Sequence, residues 1–177
     1  QKNKQNYTPA KWDTEKYVKE YNFLLNNDKS NVNWYILRYA DVLLMYAEAL
    51  NEWHHGPNNA ALAALNMVRR RGYGLPYNEA NTTVDLKSTS YEGFQEYIRN
   101  ERAYELAFEG NRRQDLIRWG MYYETIVNTY IKLIGWYPEA NYVAYQYTQK
   151  NKHELLPIPA RDMSLMENFK QNQGWGD

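Results

Sequence analysis

The chain has 177 residues, the size of one domain, and its 21 basic residues balance its 21 acidic residues. This balance excludes the overall charge that holds a nucleic acid or an anionic membrane. The absence of cysteine excludes disulfides and thiolate chemistry, and the longest apolar run, Val42 to Ala47, is far shorter than the ~20 residues that span a bilayer. The 18 tyrosines and 6 tryptophans suit either a core or a surface for hydroxylated ligands.

The first predicted elements form a helical hairpin after an irregular lead-in, residues 1–33. The first helix, residues 34–52, has apolar residues in five of seven heptad columns, so we expect neighbours to cover most of its sides. The second helix, residues 59–71, follows a short link. Short links join antiparallel neighbours, and residues 34–71 are therefore predicted to form an αα-hairpin.

A long polar loop separates this hairpin from a second helical region, residues 89–133. A glutamate three residues after Thr89 gives capping-box spacing, so a third helix is expected from Thr89 to just before Gly110. The following helix is expected to break at Gly120.

The remaining segments are an aromatic, polar loop segment, residues 135–152, and a C-terminal segment, residues 155–177. Val143, Tyr145 and Tyr147 alternate as they would in a strand or extended chain. A last helix is expected to begin at Pro159. The whole sequence predicts one mainly α region, with helical hairpins and long irregular loops.

Acidic and basic residues concentrate around Gly110. On a helix, Glu101 and Glu105 share the apolar face of Ile98, and buried carboxylates need partners. A glycoside hydrolase could use Glu101 with Glu105 or Glu109 as its carboxylate pair. We favour a structural ion network, because nearby arginines keep carboxylates ionised whereas a general acid needs a raised pKa. Its members are Glu101, Arg102, Glu105, Glu109, Arg112, Asp115 and Arg118.

On this interpretation Glu101→Gln destabilises the protein, because removing one partner of a buried ion pair costs about 3–5 kcal/mol. The three histidines stand in no metal-binding motif, and no phosphate loop or nucleophile elbow is present. We therefore expect neither a metal nor a cofactor.

The aromatic segment provides the candidate ligand-binding residues. Sugars have an apolar face and a hydroxyl rim, so rings with amides at their edge can bind them in an open groove. Packing of the same rings against helices is the competing interpretation. The candidates are Trp136, Tyr137, Asn141, Tyr142, Tyr145 and Tyr147.

Four blocks of the sequence resemble, in order, the C-terminal region of the SusD/RagB family. They are YILRYADVLLMYAEALNE, ALAALNMVRRR, IRNERAYELAFEGNRRQDLIRWG and LLPIPARDMSLMENFKQNQGW, and the resemblance covers about residues 31–175. It implies a fold with tetratricopeptide-like hairpins, in which the residues of the ion network are scaffold positions. The family's ligand contacts vary between members, so the resemblance assigns no binding residue.

The resemblance also implies a function. It indicates a non-catalytic lipoprotein on the outer-membrane surface that binds oligosaccharide, or a similar nutrient, and delivers it to a SusC-like TonB-dependent transporter. The N-terminal half of such a protein, with its lipid anchor, is expected outside this chain and would contact it. A helical adaptor that binds protein partners is the alternative from another class.

Overall fold

A computed structural model of the chain describes residue 11, residues 34–165 and residues 168–176. The predicted lead-in, apart from Lys11, lies outside the described residues. The described residues form α-helices and loops without a β-strand, which confirms the mainly α class. In this part of the chain, no helix combines the length and apolarity needed to cross a membrane. The chain divides into two compact units, Gln1–Gly110 and Asn111–Asp177.

The first unit contains α1 (Tyr39–His54), α2 (Asn59–Gly72) and α3 (Tyr91–Glu105). Each packs on the other two, and the α1–α2 pair is the predicted hairpin. Small side chains help this approach, since several buried positions of α1 and α2 are alanines. The centre of the core contains the fully buried side chains of Leu44, Leu65, Phe94 and Ile98.

Two helix starts in the first unit differ from the sequence prediction. α1 begins five residues late, at Tyr39, because Arg38 has an extended backbone with φ −124° and ψ 154°. α3 begins at Tyr91 because Ser90, not Thr89, is its N-cap and accepts a hydrogen bond from the Gly93 amide at 3.1 Å.

α3 also ends earlier than predicted, at Glu105. The chain then turns through left-handed backbone at Phe108 (φ 65°) and Gly110 (φ 87°). Left-handed residues stop a helix, so the last residues before Gly110 belong to the turn.

The second unit contains α4 (Arg112–Arg118), α5 (Tyr122–Trp136), α6 (Val143–Tyr147) and α7 (Ala160–Leu165). Gly120 separates α4 from α5 with a φ of 68°, which confirms the predicted break. The predicted strand is wrong, because residues 143–147 form a helical turn that packs on α5. α7 begins one residue after the expected Pro159, whose carbonyl accepts from the Met163 amide at 3.0 Å.

The C-terminal clasp, residues 155–158 with residues 171–175, holds the end of the second unit together. Gln171 bonds both the amide and the carbonyl of Ile158, at 2.7 and 2.8 Å. Asn172 donates to the Leu156 carbonyl at 2.7 Å. The Trp175 indole donates to the carbonyls of Leu155 and Lys152 at 3.0 Å. These side chains form hydrogen bonds with backbone groups that have no partner within a helix.

Candidate functional site

The aromatic surface consists of the six predicted ligand-binding residues at and after the end of α5. Trp136, Tyr137 and Tyr147 are exposed to 75%, 60% and 71%. Asn141 is also exposed, and Tyr142 is half-buried. Exposed rings with polar edges are available for a ligand, so this part of the predicted site remains open to solvent.

Tyr145 differs from the other rings of the aromatic surface. It stacks on Tyr130 of α5, with centroids 4.0 Å apart and planes 8° from parallel. One face of its ring therefore packs against a helix, as the competing interpretation required. Sequence reasoning missed Tyr130, because a single tyrosine on a helix gives no signal of a partner fifteen residues away.

The glutamates of α3 and the following turn lie in a dense ion network in the first unit. Glu109 accepts hydrogen bonds from Arg38 at 2.9 and 2.7 Å, and from Lys11. Glu105 accepts from Arg38 and Arg71, both at 2.7 Å. Glu101 accepts from Arg69 at 3.0 Å. All three glutamates are buried, and each has a guanidinium partner.

These partners come from elsewhere in the chain than the sequence analysis expected. Arg38 precedes α1, whereas Arg69 and Arg71 lie in the last turn of α2. Arg102 of α3 donates to Asp41 of α1 at 2.6 Å, and both are buried. The signal for Asp41 was present in the sequence, as an acid among the apolar residues of a helix that must be covered.

The other predicted members of the network lie in the second unit. Arg118 donates to Asp115 at 3.0 Å, three residues earlier on α4. The guanidinium groups of Arg112 and Arg118 lie 5.6 and 4.7 Å from the Trp119 ring centroid. The predicted set is therefore divided between the two units.

The environment shifts the pKa values of two network glutamates in opposite directions. Burial raises the pKa of Glu101 and outweighs the hydrogen bond from Arg69. Burial also acts to raise the pKa of Glu109, but hydrogen bonds from Arg38 and Lys11 outweigh it and lower that pKa. The hydrogen bond from Arg69 therefore does not lower the pKa of Glu101 below its usual value, in contrast to the effect of Arg38 and Lys11 on Glu109.

An open cavity of about 700 Å³ lies beside this network in the first unit. Its lining combines charged groups, tyrosine rings and an amide, so it has the size and polarity of a small-ligand site. The lining includes Lys11, Arg69, Arg71, Tyr73, Tyr97, Asn100, Glu101, Tyr104 and Glu105.

Within the described part of the chain, one side of α1 is exposed instead of covered as its sequence pattern predicted. Tyr39, Tyr46 and Trp53 are exposed to 70%, 50% and 80%. Their spacings of seven residues place them on one apolar stripe of the helix. Such a stripe is typical of a helix that contacts a further protein surface.

Among the described residues, no three His, Cys, Asp or Glu side chains are grouped as a metal site would require. The fold and site define a helical protein with tetratricopeptide-like hairpins, an ion network and an exposed aromatic surface. The model of the SusD family matches residues 1–175, and the chain belongs to this family.

Curated relatives and solved structures agree with this assignment. The chain is 36% identical over 147 residues to SusD-like protein P25 of Formosa agariphila, covering 81% of the chain and 25% of that protein. It is 30% identical over 151 residues to SusD-like protein P2 of the same organism, covering 83% of the chain and 26% of that protein.

A crystal structure of a SusD homolog from Bacteroides thetaiotaomicron matches 98% of the chain with 57% identity and a TM-score of 0.83. A SusD superfamily protein from Parabacteroides distasonis matches 85% of the chain with 26% identity and a TM-score of 0.55. The chain covers 33% and 29% of these two structures, so it spans about a quarter to a third of the relatives that it matches.

Proposed function

We propose that the protein is a non-catalytic, cell-surface binding protein that captures an oligosaccharide or similar nutrient. It delivers this ligand to a SusC-like TonB-dependent transporter of the outer membrane. A lipid anchor holds the full-length protein at that membrane. Membership of the SusD family supports this role. The observation that carries it is the exposure of Trp136, Tyr137 and Tyr147, since large exposed rings are suited to stacking on sugar.

Calorimetry of the intact protein against a glycan panel tests the proposal. We expect micromolar to millimolar binding of at least one glycan, because an open stacking site buries little area and orders a flexible sugar. The bound glycan should stay uncleaved on prolonged incubation, as measured by chromatography. Failure to bind any glycan of the panel would count against a glycan-binding role. The appearance of shorter glycan products would count against a non-catalytic one.

The exposed stripe of α1 favours a protein contact as a second role. We propose that Tyr39, Tyr46 and Trp53 pack against the N-terminal half of the full-length protein. In the intact protein Tyr46→Glu should then lower the melting temperature, because a buried charge without a partner is costly. An unchanged melting temperature, together with co-purification of a separate protein through this stripe, would favour the adaptor role.

A further inference from the structure

The cavity beside α3 has a surplus of positive charge. The three glutamates Glu101, Glu105 and Glu109 are bonded by four cations, Lys11, Arg38, Arg69 and Arg71. Within this described cluster the formal charges therefore sum to one positive charge. A positive surplus in a concave, partly desolvated site attracts an anionic ligand.

Arg71 presents this surplus to the cavity. Its side chain is 51% exposed, against 20% for Arg38, 22% for Arg69 and 31% for Lys11. Arg71 contacts Glu105 through Nη2, and Arg38 holds the same Glu105 oxygen at 2.7 Å. Glu105 thus keeps a guanidinium partner when Arg71 turns towards a ligand.

Arg69 is more firmly held by the protein than Arg71. Its Nε donates to the Val84 carbonyl at 2.6 Å, its Nη1 donates to Glu101, and its guanidinium lies 5.3 Å from the Tyr73 ring centroid. A planar guanidinium can bind a carboxylate through two parallel hydrogen bonds. Arg71 is therefore the cavity cation best placed to receive a ligand carboxylate.

The rest of the cavity offers groups that suit a sugar ring. Tyr97 and Tyr104 are seven residues apart on α3 and line the cavity on one face of that helix, with Asn100 between them. Tyr104 is 71% exposed, so its ring is available for stacking. A volume of about 700 Å³ is within the range of small-ligand pockets, roughly 300–1,000 Å³.

We infer that this cavity binds a carboxylate-bearing sugar unit, a uronate, with Arg71 on the carboxylate and Tyr104 against the sugar ring. The inference rests on the proposed function only in taking the ligand to be a saccharide. It adds a site in the first unit, separate from the aromatic surface of the second, and it narrows the ligand to acidic glycans.

The test compares two sugars that differ only in whether they carry the carboxylate. The intact protein is titrated with methyl β-D-glucuronide and with methyl β-D-glucoside, with saturation-transfer NMR as the readout at low and high salt. We expect the glucuronide to bind at least about tenfold more tightly at low salt, because a charge-assisted bidentate contact is among the strong hydrogen bonds. The advantage should shrink at high salt, where a half-exposed charge is screened.

Variants of Arg71 and Tyr104 test whether the sugars bind in this cavity. Arg71→Gln should remove the preference for the glucuronide while leaving glucoside binding unchanged. Tyr104→Ala should weaken both sugars several-fold, and its exposed position makes it safe for folding. Arg161→Gln, at an exposed arginine of α7 in the second unit, is the matched control and should change neither affinity. Circular dichroism verifies that each variant is folded.

Equal affinity for the two sugars would overturn the inference. A glucuronide preference that survives Arg71→Gln would also overturn it, as would unchanged affinity for both sugars in Tyr104→Ala or competition by acetate as strong as that by glucuronide. If neither methyl sugar binds while glycans of the panel still bind through the aromatic surface, the inference is overturned and the proposed function stands. A further outcome is that Arg71→Gln abolishes glucuronide binding while variants of the aromatic surface leave all glycan binding unchanged. This result would support the cavity as the binding site and would contradict the proposal that glycans bind at the aromatic surface.

Discussion

The two units use polar and aromatic side chains in opposite ways. In the first unit, Glu101, Glu105 and Glu109 are buried, and each is paired with a guanidinium from another part of the chain. In the second unit, Trp136 and Tyr147 project into solvent. Buried charge depends strongly on its partners, whereas an exposed ring contributes little to folding and is available for a ligand. Mutations of the buried charges of the first unit should therefore affect stability, whereas mutations of the exposed rings of the second unit should affect binding.

Removal of Arg38 should give the largest effect. Arg38→Met leaves Glu105 and Glu109 each with one partner fewer, and breaking a buried ion pair costs about 3–5 kcal/mol. The measurement is the urea dependence of unfolding of the intact protein. Lys150→Met, which breaks the exposed Lys150–Glu124 pair, is the matched control and should change stability far less, because exposed ion pairs contribute little. Similar costs for the two variants would contradict the contrast between the units.

Glu109→Gln should have the next largest effect, and it should depend on pH. The pKa of Glu109 is below its usual value because Arg38 and Lys11 outweigh burial. An acid with a lowered pKa in the folded state stabilises the protein above its unfolded pKa, and this contribution is lost as pH falls through the folded value. The variant should lose about 1–3 kcal/mol at neutral pH, typical of hydrogen bonds to charged groups.

The check is a comparison of melting temperatures at several pH values. The difference between wild type and Glu109→Gln should be fully present at pH 7, should narrow as the pH falls below the usual glutamate value, and should vanish once Glu109 is protonated in the folded protein. A difference that is the same at every pH would show that the pairing with Arg38 and Lys11 does not stabilise the charge.

Trp136→Ala should affect binding and leave stability nearly unchanged. The indole is 75% exposed, so its loss should weaken glycan binding about tenfold, which is ~1.4 kcal/mol, and change the unfolding free energy by less than about 0.5 kcal/mol. Phe169→Ala is the control, since Phe169 is an exposed ring of the same unit. Equal losses of affinity in the two variants would argue against a localised aromatic site.

The sequence predicted the scaffold better than the partners of its charges. Helical periodicity is a local signal, so a helical hairpin could be predicted, and α1 and α2 form one although α1 begins at Tyr39. The break at Gly120 was also predictable, because glycine readily adopts left-handed backbone. The pairing of Arg38 with Glu109 joins residues 71 positions apart, which only tertiary packing determines. For the same reason the alternation at residues 143–147 was misleading: a five-residue pattern could not reveal that Tyr145 stacks on Tyr130.

Glu101→Gln should change stability less than Glu109→Gln does. Comparing the two variants separates the effect of burial from the effect of ion pairing within one network. Because burial raises the pKa of Glu101, the folded protein favours the neutral carboxyl relative to the unfolded chain. Stability from this group therefore decreases as pH rises from the unfolded value through the raised one. A neutral amide of the same shape avoids that cost. The unfolding free energy of the variant should therefore be within about 0.5 kcal/mol of wild type at neutral pH, a smaller change than in Glu109→Gln.

Unfolding free energies at pH 7 compare the two variants directly. A loss of about 3–5 kcal/mol would restore the simpler expectation that the bond from Arg69 dominates over burial.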